Sequence, residues 1–179
     1  HTDGSPYIAM ELLKGHDLQK ALRQPPPLAL DRKVAVIVQV LAGLAHAHQA
    51  GLVHRDIKPA NIWVQEDGSC KIMDFGIARE TSHSMTGTGN VMGTADYMSP
   101  EQVQGKKVDS RSDLFAVGCM LFELVAGRRP FHADNLMAIF YKILHEEPNF
   151  DLVPPGPGHD ALLPVLEALV LVLISARLG

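Results

Sequence analysis

Apolar residues recur at helical spacing in several stretches of the chain. In residues 31–51 the predicted apolar face comprises Val34, Ile37, Val38, Leu41 and Leu44. A second stretch covers residues 110–126, where Ser and Asp side chains can cap the start and Gly127 the end. Because spacings of three and four residues bring side chains to one side of a helix, both stretches predict amphipathic helices.

Two further helices are predicted nearer the end of the sequence. One covers residues 135–145, and a Pro-rich loop around residues 154–157 separates it from the last. Residues 168–174 carry no charge, but a membrane span takes roughly 20 apolar residues. We interpret this stretch as a buried helix, with membrane contact as the alternative.

Short apolar segments between turn signals predict strands. Residues 7–13 are apolar enough for a buried strand, which Gly15 would end. Residues 62–64 and 70–73 form a predicted pair joined by a turn at Gly68. Together with the helices, these segments predict an α+β fold that is mainly α-helical.

Length and composition narrow the class of protein. At 179 residues the chain can bury one sizeable core, so one domain is expected. A formal net charge of −4 without a basic stripe argues against nucleic acid as a partner. Cys70 and Cys119 are too few for a disulfide framework or a zinc site, and reduced cysteines suit the cytosol. His46 and His48 are candidate metal ligands, with surface or helix-cap positions as the alternative.

Candidate chemistry is concentrated in residues 54–76. Asp56 is followed five residues later by Asn61, and Asp74 opens an Asp-Phe-Gly triplet. Phosphoryl transfer needs a carboxylate for the attacking hydroxyl and oxygen ligands that hold Mg²⁺ against the phosphates. Asp56 can serve the hydroxyl, Asn61 and Asp74 can bind the metal, and Lys58 can place positive charge near the transferred phosphate. The alternative for the two aspartates is that each caps a turn of its own backbone.

This run reads HRDIKPANIWVQEDGSCKIMDFG and resembles the protein kinase family, especially the bacterial serine/threonine kinases of eukaryotic type. Residues 93–101, GTADYMSPE, resemble the end of that family's activation segment. The resemblance implies a kinase-like fold with the last small-lobe strand and hinge in residues 1–16. Residues 17–179 would form an incomplete large lobe. The printed sequence has no counterpart of the Gly-rich loop, the strand lysine or its partner glutamate, so we expect it to lack the small lobe.

The resemblance also implies ATP and Mg²⁺ as cofactors, with nucleotide contacts around the hinge. Met10 would lie at the back of the adenine pocket, and Glu11 and Leu13 would present backbone groups to adenine. Asp17 would lie near the ribose and Trp63 beneath the adenine. For Asp17, capping a short helix is the alternative.

Regulation by phosphorylation is a further implication of the resemblance. Thr86 and Thr88 lie where related bacterial kinases carry activating phosphates, with ordinary loop threonines as the alternative. Arg55 can receive a phosphate from the activation segment, and Thr94 can hydrogen-bond two of the catalytic residues.

Other residues of the motifs are implied to support the site rather than to react. This set consists of His54, Phe75, Gly76, Glu101 and Asp113. His54 and Phe75 would pack in an internal apolar column, and Asp113 would anchor the backbone of the catalytic loop.

The expected activity is transfer of the ATP γ-phosphoryl group to serine and threonine hydroxyls of proteins in the cytoplasm. This polypeptide alone is expected to transfer little or nothing, because positioning supplies most of the catalysis in this chemistry. The missing small lobe would come from the same gene product, which could be a longer membrane-anchored protein. A non-catalytic interaction module formed by a truncated kinase lobe is the second interpretation. A small-molecule phosphotransferase is the third, and the long activation segment argues against it.

Overall fold

The structure, a computed structural model, describes residues 11–75, 91–156 and 158–175. Its elements in these ranges are, in chain order, β1 (Gly15–Asp17), α1 (Leu18–Arg23), α2 (Leu30–Gln49), β2 (Ile62–Gln65), β3 (Cys70–Ile72), α3 (Val91–Ala95), α4 (Pro100–Val103), α5 (Ser110–Ala126), α6 (Leu136–His145) and α7 (His159–Ser175). Short 3₁₀ turns lie at Pro59–Asn61 and Phe150–Leu152. The predicted mainly helical α+β class is confirmed.

The strands form one antiparallel sheet in the order β1-β2-β3. β2 and β3 confirm the predicted strand pair, but the strand predicted at residues 7–13 is wrong over its described part. Residues 11–14 form neither helix nor strand, and Leu12 is 92% exposed. The strand begins instead at Gly15, where a Cβ atom would lie 2.1 Å from the Val64 carbonyl oxygen. Gly15 is therefore required by the close approach of β2 and does not end a strand.

α1 begins directly after β1, and Asp17 caps its start, which was the alternative expected for this residue. The Asp17 Oδ1 accepts a hydrogen bond from the Lys20 backbone N–H at 2.8 Å. The boundary drawn between residues 16 and 17 falls inside β1, and the division of the chain into hinge and large lobe stays a prediction.

α5 is the central helix of the core, as its almost wholly apolar sequence requires. Asp109 caps its start, and Gly127 ends it in the left-handed conformation with φ 72°. Its side chains that are at most 1% exposed include Phe115, Val117, Met120, Leu121 and Phe122. α2 and α7 pack against it. Each fully buried side chain of this size stabilises the fold by about 1.5–3 kcal/mol, so α5 supplies much of the core's stability.

The buried face of α2 differs from the predicted one. The buried side chains are Val36, Ile37, Val40, Leu44 and Ala47, whereas Val38 is 58% exposed. The helix itself was predicted to within one residue at its start. Two of the buried side chains, Ile37 and Leu44, belong to the predicted face, and Leu41 of that face packs against the core. The prediction is wrong for Val38, because α2 packs against both α5 and β3 and spacing alone does not reveal two partners.

α7 confirms that the last apolar stretch is a helix. Among its described side chains, Leu166 and Val170 are at most 1% exposed and belong to the core. No helix in the described ranges is both long and apolar enough to cross a membrane.

We predict opposite effects for alanine at two helix glycines, Gly118 of α5 and Gly43 of α2. A Cβ at Gly118 would lie 2.8 Å from a Val170 methyl and 3.0 Å from the Leu169 Cβ, so α7 would have to move. Gly118→Ala should lower the free energy of unfolding by about 1–2 kcal/mol, because overpacking outweighs the gain in helix propensity.

A Cβ at Gly43 would meet the flexible end of Ile72 at 3.1 Å. Gly43→Ala should therefore leave stability unchanged or raise it by up to about 1 kcal/mol. Urea unfolding of both variants measures the difference, and shifts of equal size and sign would contradict the packing of α7 on α5.

Candidate active site

Asp113 ties the candidate catalytic run to the core. It lies in the first turn of α5 and is fully buried. Its Oδ1 accepts a hydrogen bond from the Arg55 backbone N–H at 2.7 Å, and its Oδ2 accepts one from the His54 backbone N–H at 2.8 Å. The His48 Nε2 lies 2.8 Å from the same Oδ2. A buried carboxylate needs donors of this kind, so the burial of Asp113 and the position of the run depend on each other.

The backbone turns sharply at Arg55. Its φ of 67° lies in the left-handed region, which costs a residue other than glycine about 1–3 kcal/mol. Asp113 holds the N–H of Arg55, while the Gln102 side chain donates to its carbonyl oxygen at 2.8 Å. Because α5 and α4 each hold one side of the residue, the strained turn persists.

His54 connects the two halves of the run. Its Nδ1 accepts a hydrogen bond from the Asp56 backbone N–H at 3.2 Å, and its Nε2 lies 2.8 Å from the Met73 carbonyl oxygen. A neutral ring with its proton on Nε2 satisfies both contacts. The ring also packs on Phe75, with 4.8 Å between centroids. His54 therefore fixes the spacing between Asp56 and the Asp-Phe-Gly triplet.

The side chains of the run converge around Asp56. The Lys58 Nζ lies 3.0 Å from the Asp56 Oδ2 and donates to the Thr94 Oγ1 at 2.9 Å. The Asn61 side-chain amide donates to the Asp56 carbonyl oxygen at 2.8 Å and to its Oδ2 at 3.3 Å. The side chains of Asp56 and Lys58 are 17% and 19% exposed, so a surface-bound reactant can reach both. These contacts form a preorganised carboxylate–ammonium pair beside the segment that carries Thr94.

Asn61 and Asp74 lie at the same end of the β2–β3 hairpin. The Met73 backbone N–H donates to the Asn61 carbonyl oxygen at 2.8 Å, and Asp74 follows directly, exposed and with φ 55°. A carboxylate and an amide oxygen are donors that Mg²⁺ accepts alongside phosphate oxygens, so this pair fits the ion. Within the described ranges, no group of three or more His, Cys, Asp or Glu side chains could hold a metal.

The described residues predicted to contact nucleotide lie around β2. Trp63 of the central strand β2 pairs with Asp17 of β1 and with Lys71 of β3. The Lys71 ammonium binds the carboxylate of Glu11. Leu13 is half-buried. The sheet thus brings Glu11, Asp17 and Trp63 into one neighbourhood, while the Asp17 carboxylate already caps α1.

The Ser-Pro-Glu-Gln segment at α4 is joined to both the run and α5. Ser99 and Gln102 form a capping box, in which each side chain binds the backbone N–H of the other residue. Glu101 accepts a hydrogen bond from the Ser112 hydroxyl. Together with the Gln102 bond to Arg55, these contacts position the segment that carries Thr94.

A charged network around the buried Asp96 lies just after Thr94. Arg129 binds Asp96 at 2.5 Å and Glu123 at 3.3 Å, and the His132 Nδ1 lies 3.1 Å from the Asp96 Oδ1. The Tyr97 hydroxyl donates to Glu123, and the Arg129 guanidinium lies 5.8 Å from the centre of its ring. Burial first, and then the charge of Glu123, raise the pKa of Tyr97 far above its usual range. Tyr97 therefore remains a hydrogen-bond donor at physiological pH.

Comparison with known proteins assigns the family. The family model described as "Protein kinase domain" matches residues 1–164. The chain belongs to the protein kinase family. This confirms the resemblance inferred from residues 54–76 and 93–101.

Bacterial kinases are among the relatives of this kinase chain. It is 42% identical over 169 residues to the serine/threonine-protein kinase PknB of Mycolicibacterium smegmatis, an alignment that covers 93% of the chain and 26% of the relative. It is 45% identical over 146 residues to a probable serine/threonine-protein kinase of Corynebacterium efficiens, with 80% and 22% covered. A probable serine/threonine-protein kinase of Streptomyces coelicolor is 42% identical over 169 residues, with 93% and 24% covered. The chain spans about a quarter of the length of the curated relatives it matches.

Four residues predicted to belong to the kinase site lie outside the described residues. They are Met10 of the predicted adenine pocket, Gly76 of the Asp-Phe-Gly triplet, and the predicted phosphorylation sites Thr86 and Thr88.

Sequence reasoning missed several residues that hold the site. His48, considered as a metal ligand or helix cap, instead contacts the anchoring carboxylate of Asp113. Gln102 could have been found from the Ser-x-x-Gln capping-box pattern that it forms with Ser99. No local pattern marks Arg129 as a partner of Asp96, because 33 residues separate them.

We predict that Asp113→Asn loosens the candidate catalytic run of this kinase chain. An amide presents only one acceptor oxygen, so a backbone N–H of His54 or Arg55 would face an NH₂ group. The expected loss in the free energy of unfolding is about 2–4 kcal/mol, because hydrogen bonds to a charged acceptor contribute about 1.5–3 kcal/mol each. Hydrogen exchange at the amides of His54 and Arg55 should also become faster.

Asp109→Asn is the matched control, because Asp109 caps the same helix from an exposed position. Asparagine is an equally good cap, so this change should cost under about 1 kcal/mol. Equal losses in the two variants would contradict a special role for Asp113.

Proposed function

We propose that this chain carries the catalytic residues of a serine/threonine protein kinase, which transfers the γ-phosphoryl group of ATP to protein hydroxyls. The observation that carries the proposal is the position of the Lys58 ammonium, 3.0 Å from the Asp56 carboxylate and 2.9 Å from the Thr94 hydroxyl. This contact joins the carboxylate that would serve the acceptor to the segment that would hold the acceptor peptide.

In the proposed reaction, Asp56 orients the acceptor hydroxyl and takes its proton as the new O–P bond forms and the bond to ADP breaks. Its Oδ2 already accepts hydrogen bonds from Lys58 and Asn61, which orient the carboxylate. The Asn61 amide also fixes the backbone of Asp56, so the carboxylate is held before the substrate arrives.

Lys58 has two tasks in this proposal. Its ammonium attracts the negative charge on the transferred phosphoryl group, and it keeps Asp56 and Thr94 in fixed positions. A threonine or serine acceptor reaches this pair through a cavity of about 230 Å³ that Lys58, Thr94, Tyr97 and Gln19 line in part. We name it the Lys58 cavity.

Asn61 and Asp74 would hold Mg²⁺ through an amide oxygen and a carboxylate. The ion supplies positive charge to the ATP phosphates when it is bound. The bond from the Met73 N–H to the Asn61 carbonyl oxygen supports this assignment, because it keeps the two ligands at one end of the hairpin.

Nucleotide contacts are proposed for Met10, Glu11, Leu13, Asp17 and Trp63. The register that brings Asp17 opposite Trp63 supports a site along β2. Thr86 and Thr88 are the proposed phosphorylation sites, with Arg55 as the residue that receives the phosphate.

We further propose that residues 1–16 form the last small-lobe strand and hinge and residues 17–179 the large lobe. The printed sequence contains no Gly-rich loop and no strand lysine to position the phosphates. The 179-residue polypeptide alone should therefore bind ATP weakly and transfer little phosphate or none.

Transfer of radiolabelled phosphate from ATP and Mg²⁺ tests the function. The acceptors are the chain itself and a mixed pool of peptides that contain serine or threonine. We expect slow labelling, which Asp56→Asn lowers by roughly 10²–10⁴-fold because the base for the acceptor proton is lost. Labelling that Asp56→Asn leaves unchanged would contradict the proposal, and rapid labelling by the unaltered chain would contradict only the expectation for the isolated polypeptide.

Thr94 offers a finer test of the Lys58 contact. Thr94→Val removes the hydroxyl that accepts from the ammonium, and we expect a rate of transfer roughly tenfold lower, since a hydrogen bond to a charged group contributes about 1.5–3 kcal/mol. Thr94→Ser keeps the hydroxyl and should retain most of the rate. If the serine variant is as slow as the valine variant, the lost bond is not the cause.

A further inference from the structure

Next to the Lys58 cavity lies a second, larger cavity of about 310 Å³. We name it the basic cavity; its lining includes Gln19, Leu22, Arg23, Lys33, Glu123 and Arg129. Gln19 lines both cavities, and Leu22 and Arg23 follow one turn later on the same side of α1. A peptide bound with its acceptor residue in the Lys58 cavity can therefore continue into the basic cavity.

The carboxylate in this lining already has two partners, of which Arg129 carries a positive charge. One oxygen of Glu123 accepts from the Tyr97 hydroxyl and the other lies 3.3 Å from the Arg129 Nε. Asp96, behind the cavity, is held by Arg129 and His132 in the same way. Every carboxylate oxygen of these two acids already has such a partner, which weakens their attraction for a further cationic side chain.

The cations in the lining outnumber that carboxylate. Arg23, Lys33 and Arg129 face one acid, Glu123. The side chains of Arg23 and Lys33 form no ion pair or hydrogen bond with any described residue, and Arg23 is exposed while Lys33 is half-buried. A partly enclosed cavity lined by unpaired charges of one sign concentrates counter-charge from a ligand.

We propose that the basic cavity is a subsite for an acidic side chain, aspartate or glutamate, of the acceptor peptide. The inference rests on the proposed function and names its substrate class: proteins with a carboxylate near the serine or threonine that is phosphorylated. Arg23 and Lys33 are the residues that select this side chain, and Arg129 contributes by masking the two neighbouring acids. Electrostatic complementarity of this kind sets specificity more than raw affinity.

Peptide binding to the 179-residue chain tests the inference without any need for phosphate transfer. The probes are fluorescent peptides whose acceptor serine is replaced by alanine, in pairs that carry glutamate or lysine at each flanking position in turn. Fluorescence anisotropy at low salt should give a dissociation constant roughly five- to tenfold lower for the glutamate peptide at one or two positions. The difference should shrink as salt is added, because exposed charges are screened.

Lys33→Glu and Arg32→Glu form a matched pair, since both reverse one charge on neighbouring residues of α2. Arg32 is exposed and lines a different cavity, beside Gly68. Lys33→Glu should abolish or reverse the preference, so that the lysine peptide binds better, and Arg23→Glu should act likewise. Arg32→Glu should leave the preference in place. Equal thermal unfolding midpoints would show that the variants are folded.

Equal affinity for glutamate and lysine peptides, or an equal effect of Arg32→Glu and Lys33→Glu, would overturn the inference. Either result would leave the phosphotransfer test untouched, because that test depends on Asp56. Conversely, an acidic preference that Lys33→Glu reverses would stand even if the isolated chain transfers no phosphate.

Discussion

The carboxylate of Asp113 accepts hydrogen bonds from the backbone of His54 and Arg55 while it is wholly buried at the start of α5. Two requirements meet in this contact. The buried charge needs donors, and the positive end of the α5 dipole alone supplies only a fraction of what water would give. The candidate catalytic run in turn needs contacts from other elements to keep Arg55 at a positive φ. Neither the burial of Asp113 nor the strained turn is stable without the other.

From this contact the order of the site follows outward. The fixed turn at Arg55 directs Asp56 toward Lys58 and Asn61, and the ring of His54 keeps the Asp-Phe-Gly triplet at a set distance. Gln102 of α4 donates a hydrogen bond to the Arg55 carbonyl oxygen, so α4 and the candidate catalytic run are connected at Arg55. Electrostatic catalysis depends on charges that need not reorganise during reaction, and the proposed function relies on these contacts to hold Asp56 and Lys58 in place.

The sequence predicted those parts of the molecule whose information is local. The helices, the β2–β3 hairpin and the candidate residues of 54–76 depend on spacing and on turn and cap chemistry within a few residues. The predictions that failed depend on contacts between segments that are far apart in the sequence. Gly15 was predicted to end a strand, but a glycine is required there because the Val64 backbone approaches it closely. Val64 lies 49 residues away in the sequence, so no local pattern reveals this contact. The buried face of α2 was predicted only in part because two elements pack on it, and His48 was not recognised because its partner Asp113 belongs to another helix.

The same limit applies to the charges near Thr94, and there it changes the sign expected for the local charge. From the sequence alone, Asp96 and Glu123 add negative charge beside the site, while Arg129 belongs to a turn between two helices. In the folded chain Arg129 lies against both acids, and the side chain of Asp96 has no exposed surface. An unpaired carboxylate buried in this way would cost several kcal/mol, so Arg129 is required by the two acids and is not a free surface charge. Because Arg129 partly offsets the two acids, the side chains of Arg23 and Lys33, which pair with no described residue, leave an excess of positive charge in the lining of the basic cavity.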